Sequence, residues 1–199
     1  MRLFYSPNSP YARFTRLVLR HHGLQDRVSE VELHPFDNPK ELMALNPLCK
    51  VPTLELDDGA ALFDSEVIAL YLDRHLGDGS LSARLDADWG QRARFSLAKG
   101  LVDSAVMLRG ENWRGSQEGE HASPFFVARH RAAIDRTLAY FSDLPAAKQE
   151  SRANLPELLI AVAVSYIEFR HPDVALNPAL YDRYLGSPPR GFAETAPTG

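Results

Sequence analysis

The stretch Ser9-Pro10-Tyr11-Ala12 holds the residues of this chain best placed to do chemistry. Serine followed by proline opens the segment Pro10 to His22, which reads as a helix. Ser9 is the predicted N-cap, and Pro10 the first helical residue, where its missing N–H costs nothing. Backbone N–H groups and the positive end of the helix dipole then converge beside a hydroxyl. Such a place stabilises an anion, a thiolate among them. The same residues also suit a plain helix cap, and the stretch alone does not separate the two readings.

The stretch resembles the Cys-Pro-Tyr-Cys turn of glutaredoxins with both cysteines replaced, by Ser9 and Ala12. It supports no dithiol–disulfide cycle of its own, so any sulfur handled here must arrive on a ligand. Cys49 is the one cysteine of the 199 residues. That excludes an intramolecular disulfide and points to a reducing compartment, most simply the cytoplasm. A formal charge of -4 gives no basic footprint, which argues against a nucleic-acid partner. No apolar run reaches the ~20 residues that span a bilayer, and Met1-Arg2 leads straight into a strand rather than a signal peptide. No metal-ligand spacing surrounds His21 and His22, and no metal is expected.

The elements that must position Ser9 follow from periodicity. Arg2-Leu3-Phe4-Tyr5 reads as a strand before the first helix, and Gly23 as the stop after it. Glu30-Val31-Glu32-Leu33 alternates like a half-buried strand. Asn38-Pro39 is predicted to cap a short helix that Asn46-Pro47 ends. Val51 to Leu56 alternates again, and Asp57-Asp58-Gly59 turns it into Ala60–Phe63 as a hairpin. Asp64 is predicted to cap a helix over Ser65–Leu76. From about Leu81 strand signals vanish. Long apolar-faced helices are predicted from Trp89, from Ser123-Pro124 and from Pro156 to about Arg170, with Asn154 and Glu157 as a box-like start. Asn177-Pro178 begins a last short helix. Gly110–Ala122 reads as a loop, and the tail from Ser187 to Gly199 as having little to pack. The expected fold is α/β plus all-α, with domains over residues 1-78 and 84-199.

This β-α-β-α-β-β-α unit followed by helices resembles the cytosolic glutathione S-transferases, whose first domain is thioredoxin-like. The likeness rests on Ser9-Pro10-Tyr11, on Asn46-Pro47-Leu48-Cys49-Lys50-Val51-Pro52-Thr53-Leu54, on Leu62 to Leu72 with its Asp64-Ser65 pair, and on Tyr166-Ile167-Glu168-Phe169-Arg170. It implies that Ser9 is catalytic, donating a hydrogen bond to the sulfur of bound glutathione. It implies that Pro52 is cis, so that Val51 meets the cysteinyl part of the ligand with its N–H and C=O. Asp64 and Ser65 would hold the γ-glutamyl group, and Lys50 the glycyl carboxylate. Many members have Glu where this chain has the shorter Asp64.

Glutathione would be the co-substrate, with no resident cofactor. Its thiolate would attack a small hydrophobic electrophile in a cleft bordered by Tyr11, Met107, Leu108 and Trp113. Homodimer formation is implied, with Asp103 reaching the ligand of the other subunit. Tyr5 lies near the catalytic tyrosine of other classes but ends its strand early, and Ser9 is preferred. Cys49 is read as structural. Two alternatives stay open: a non-catalytic interaction module on the same scaffold, as in stringent starvation protein A, and another glutathione-dependent enzyme such as an isomerase, dehalogenase or peroxidase.

Overall fold

The computed structural model describes residues 1–144 and 154–198. Its first half runs β1 (Arg2–Tyr5), α1 (Pro10–His21), β2 (Ser29–Glu32), α2 (Lys40–Leu45), β3 (Thr53–Glu55), β4 (Ala61–Leu62) and α3 (Ser65–Tyr71). The second half is helical: α4 (Trp89–Gly115), α5 (Pro124–Ser142), α6 (Leu155–Arg170) and α7 (Pro178–Tyr184). Two compact units result. One contains Met1–Asp88, the first turn of α6 and the segment from Pro189. The other contains the stretch from Trp89 and Leu159–Pro188.

In the first unit the strands form one sheet in the order β2-β1-β3-β4. β1 and β2 are parallel, joined through α1, while β3 is antiparallel to both β1 and β4. Phe4 lies opposite Thr53, and Leu54 opposite Leu62. The C-terminal ends of β1 and β4 and the N-terminal end of β3 therefore share one end of the sheet. Leu3, Phe4, Phe14, Leu17, Val18, Leu54, Ile68 and Leu72 are buried and tie the sheet to α1 and α3. In the helical unit α4 packs on α5. Its core includes Leu101, Val102, Ala105, Ile134, Leu138, Phe141, Val162 and Ile167.

Several boundaries differ from the sequence reading. The predicted helix Ser65–Leu76 is α3 followed by a π-helical turn, Leu72–Leu76, closed by Gly77 N–H to Leu72 C=O at 2.8 Å. Asn38 does not cap α2; it adopts a left-handed φ of 49° after the short turn Pro35–Asp37, and Pro39 precedes α2. The loop read over Gly110–Ala122 starts later, because α4 runs to Gly115. Its polar last turns persist as helix through the Glu111–Arg114 ion pair one turn apart. The tail also packs, although Gly199 is outside the described residues. Phe192 and Thr195 are buried. The Arg13 guanidinium sits 4.0 Å from the Phe192 ring and donates to the Phe192 carbonyl at 3.0 Å. This ring-and-arginine contact, together with Glu194 accepting from Arg20 at 3.1 Å, anchors a segment that composition marked as loose.

Candidate functional site

The shared end of the sheet gathers three segments of the first unit. β1 leads through Ser6–Ser9 into α1. Pro52 leads into β3, and β4 leads through Phe63 and Asp64 into α3.

At the first segment Ser9 has extended backbone, φ −84° and ψ 116°, and its Oγ accepts a hydrogen bond from Ala12 N–H at 3.2 Å. This is the predicted cap. Accepting that bond leaves the hydroxyl proton available to a further acceptor. Ser9 and Tyr11 are both half-buried. Tyr5, the rival for the same chemistry, is committed elsewhere. Its hydroxyl donates to Glu32 at 3.1 Å, and the Arg16 guanidinium lies 4.1 Å from its ring. Burial pushes its phenol above the ordinary range; Arg16 opposes the shift and Glu32 adds to it.

At the second segment the Val51-Pro52 bond is cis. Among the described residues neither the N–H nor the C=O of Val51 has a hydrogen-bond partner. Lys50 beside it is exposed. This posture depends on a residue that the sequence reading took as a helix stop and as the start of a likeness motif, without a role at the site. Asn46 is 1% exposed and bonds the loop three times. Its Nδ2 donates to Lys50 C=O at 3.2 Å and to Thr53 Oγ1 at 3.0 Å, and its Oδ1 accepts from Leu48 N–H at 3.0 Å. Thr53 Oγ1 also donates to Lys50 C=O, at 2.8 Å. A buried amide with its hydrogen bonds made holds Lys50 and Val51 in place. The Asn-Pro dipeptide was the available signal, but it also marks an ordinary turn. Cys49, at φ 49°, donates weakly from Sγ to Pro35 C=O at 3.5 Å.

At the third segment Asp64 caps α3, its carboxylate accepting from Glu66 N–H at 3.0 Å. Ser65 is 5% exposed, and its hydroxyl has no hydrogen-bond partner among the described residues. The Phe63-Asp64 peptide bond is also cis.

The remaining sequence-named residues lie on α4 in the helical unit. Asp103 is exposed. Met107 is 54% exposed and Trp113 57% exposed, whereas Leu108 is 3% exposed and is spent on packing.

A cluster of one histidine and two aspartates escaped the spacing argument. His22 Nε2 lies 2.8 Å from Asp73 Oδ1, and His22 Nδ1 is 3.7 Å from Asp78. One ligand atom from each of the three residues falls within a 4.8 Å span, a geometry that admits a cation. The buried Asp73 carboxylate is also engaged by backbone, accepting from Leu81 N–H at 3.1 Å and Ser82 N–H at 2.9 Å. It joins the end of α1 to the turn after α3, a contact between residues 51 apart that no local pattern shows.

The comparisons with known proteins agree with this geometry. A family model described as the glutathione S-transferase N-terminal domain matches residues 8–75. The crystal structure of a glutathione transferase family member from Pseudomonas fluorescens Pf-5, with bound glutathione, is similar over 100% of this chain and 99% of that one. The two share 30% identity, with a TM-score of 0.87. The chain belongs to the glutathione S-transferase family. Its thioredoxin-like first domain and helical second region are the fold of that family. Among curated relatives, the GST-like protein YibF of Escherichia coli K12 is 28% identical over 177 residues, covering 85% of this chain and 83% of YibF. A stringent starvation protein A homolog from Haemophilus influenzae is 32% identical over 103 residues, 45% of this chain and 47% of that protein. Among the described residues, no helix is long and apolar enough to cross a membrane.

Proposed function

We propose that this protein is a glutathione transferase of the serine type. The observation that carries the reading is the Ser9 hydroxyl at the N-terminus of α1, on the same end of the sheet as the open Val51 backbone. A free thiol has a pKa of about 8.5 and is mostly protonated at neutral pH. A hydrogen bond from Ser9 O–H to the glutathione sulfur, with the helix dipole behind it, favours the thiolate. Each unit of lowered pKa corresponds to ~1.4 kcal/mol. The thiolate then attacks an electrophilic carbon and expels the leaving group. Ser9 needs no histidine or aspartate partner because it is not the nucleophile.

In this reading Val51 pairs through its backbone with the cysteinyl unit. Ser65 and Asp64 take the γ-glutamyl carboxylate and ammonium, and Lys50 takes the glycyl carboxylate. The Pseudomonas relative binds glutathione, which supports the ligand assignment. The electrophile is assigned to Tyr11, Met107 and Trp113. Asp103 is assigned to the second subunit's ligand in a homodimer, and the single Cys49 favours a reducing cytoplasm. Calorimetry tests the binding half. Glutathione should bind, and Ser65→Ala should weaken it by about 1–3 kcal/mol if the bond is charge-assisted. Equal affinity in the variant removes Ser65 from the site. The partial likeness to stringent starvation protein A favours a second reading, a non-catalytic interaction module. Glutathione binding without turnover of any electrophile would select it.

A further inference from the structure

Arg109 and Arg170 are two half-buried arginines of the helical unit that meet no counter-charge among the described residues. Arg109 lies on α4 and Arg170 at the end of α6, and neither makes an ion pair or side-chain hydrogen bond among the described residues. The fold brings them together. His171, next to Arg170, has its Nε2 2.8 Å from the Ala105 carbonyl, and Ala105 lies one helical turn before Arg109. Tyr166 is one turn before Arg170 on α6. It is buried, and its hydroxyl has no hydrogen-bond partner among the described residues. Trp113, one turn beyond Arg109, continues the same face of α4 and is exposed.

The nearby carboxylates are occupied or turned away. Asp173 is paired with Arg131, and Glu111 with Arg114 and the Ser123 N–H. Glu168 lies on the opposite side of α6 from Tyr166 and Arg170, because two residues advance a helix by about 200°. The Arg170 guanidinium rests 4.0 Å from the Phe169 ring, which fixes its orientation. Burial lowers the Arg170 pKa, and Arg109 lowers it further by repulsion, while the Tyr166 hydroxyl opposes the shift. Two guanidinium groups that repel one another in a partly dry place are stabilised by an added anion.

We propose that Arg109, Arg170 and the Tyr166 hydroxyl form a receptor for a carboxylate or sulfonate on an aromatic ligand, with Trp113 receiving the ring. A planar anion with several oxygens meets a guanidinium fork through paired N–H bonds and takes a third from the phenol. This site is distinct from the glutathione-binding residues of the first unit. Joined to the proposed transferase reading, on which only this extension rests, it makes the second substrate an electrophile bearing an acidic group.

The test uses two fluorophores that share one ring system, 8-anilinonaphthalene-1-sulfonate and N-phenyl-1-naphthylamine, the second lacking the sulfonate. Arg109→Gln and Arg170→Gln should each weaken the sulfonate about tenfold, the effect of losing a charged hydrogen bond, and leave the neutral amine unchanged. Arg170→Lys should restore part of the loss, and Tyr166→Phe should give a smaller one. Binding should quench tryptophan fluorescence in the parent but not in Trp113→Phe. Equal weakening of both fluorophores, or of neither, overturns the proposal. A second arm compares turnover of 1-chloro-2,4-dinitrobenzene and 4-chloro-3-nitrobenzoate with glutathione. In both, the thiolate displaces chloride. Arg109→Gln should lower kcat/KM for the benzoate about tenfold more than for the dinitrobenzene, and an equal drop for both overturns the substrate assignment. If the parent turns over neither electrophile while the fluorophores still discriminate, the transferase reading fails and the anion site stands.

Discussion

α1 and α5 begin with the same two residue types, and their N-termini meet different partners. Ser9-Pro10 opens the first helix and Ser123-Pro124 the second. Each serine is extended, and each Oγ accepts from the N–H three residues on, at 3.2 Å in α1 and 3.4 Å in α5. At α5 an anion is already in place, since the Glu111 carboxylate accepts from Ser123 N–H at 2.7 Å. At α1 the Ser9 N–H goes to the Ser6 carbonyl at 3.0 Å, and no carboxylate of the described residues is bonded to Ser9. One positive helix end is neutralised from within the chain; at the other no such carboxylate is bonded among the described residues, and in the proposed function the Ser9 hydroxyl serves the bound ligand. The motif is therefore not the signal. On the proposed function, what would distinguish an active-site cap from a structural one is whether the protein itself supplies the charge that the helix end attracts.

The sharpest way to break this comparison is to remove both hydroxyls. Ser9→Ala should lower kcat/KM with a model electrophile roughly 10–100-fold, the loss of a charge-assisted hydrogen bond, and move the pH–rate profile to higher pH. Ser123→Ala should cost about 1 kcal/mol of stability through the lost cap and leave the profile where it is. Steady-state kinetics across pH and urea denaturation of both variants decide it. If the two behave alike, Ser9 is only a cap.

A thiol placed at each end sharpens the same contrast. Ser9→Cys should titrate below the ordinary cysteine value and gain reduction of a small mixed disulfide. The introduced thiolate attacks the disulfide and becomes glutathionylated, and a second glutathione releases it. Ala12 is no obstacle, because no second protein thiol is used. Ser123→Cys should titrate higher, since the Glu111 carboxylate repels a second negative charge. Rates of alkylation against pH report both values. Equal values would mean that the carboxylate at α5 does not matter to its cap.

Much of the first unit was legible in the sequence for local reasons. Ser9 and Asp64 accept the bonds their positions call for, because a cap needs only a few consecutive residues, and the same holds for Asn177 in the helical unit. The cis bond at Pro52 was expected from the family likeness, not from spacing. What stayed hidden depends on folding distance or on side-chain detail. Asn46 reads as a turn residue until Thr53 and Lys50 are brought under it. Asp73 meets His22 only after the sheet has brought α1 and the turn after α3 together. The tail was judged by its prolines and glycines, yet Phe192 and Glu194 dock on Arg13 and Arg20, more than 170 residues away. Arg109 and Arg170 look like ordinary solvated charges in sequence, and become notable only because they are half-buried and unmatched among the described residues.

The smallest expected effect concerns the anion at α5. Glu111 titrates below the ordinary glutamate value, chiefly through its hydrogen bond with Arg114 and then through the Ser123 N–H. A carboxylate whose folded value lies below its unfolded one stabilises the protein fully above the unfolded value, about 4.5 here, and loses that contribution as pH falls through the folded value. Glu111→Gln keeps an acceptor but removes the charge. The variant should be less stable than the parent at neutral pH, and the gap should close in acid, since the parent's carboxylate is then neutral too. Added salt should narrow the gap as well, because the pair with Arg114 lies at the surface. Thermal denaturation of both proteins over a series of pH values measures this directly. A gap independent of pH and salt would mean that Glu111 acts by packing, and that α5 holds no anion comparable to a thiolate at α1. If the gap closes as expected, the α5 end displaces a carboxyl proton in the acid range, where the proposed function has the α1 end displace the thiol proton of a ligand near neutrality.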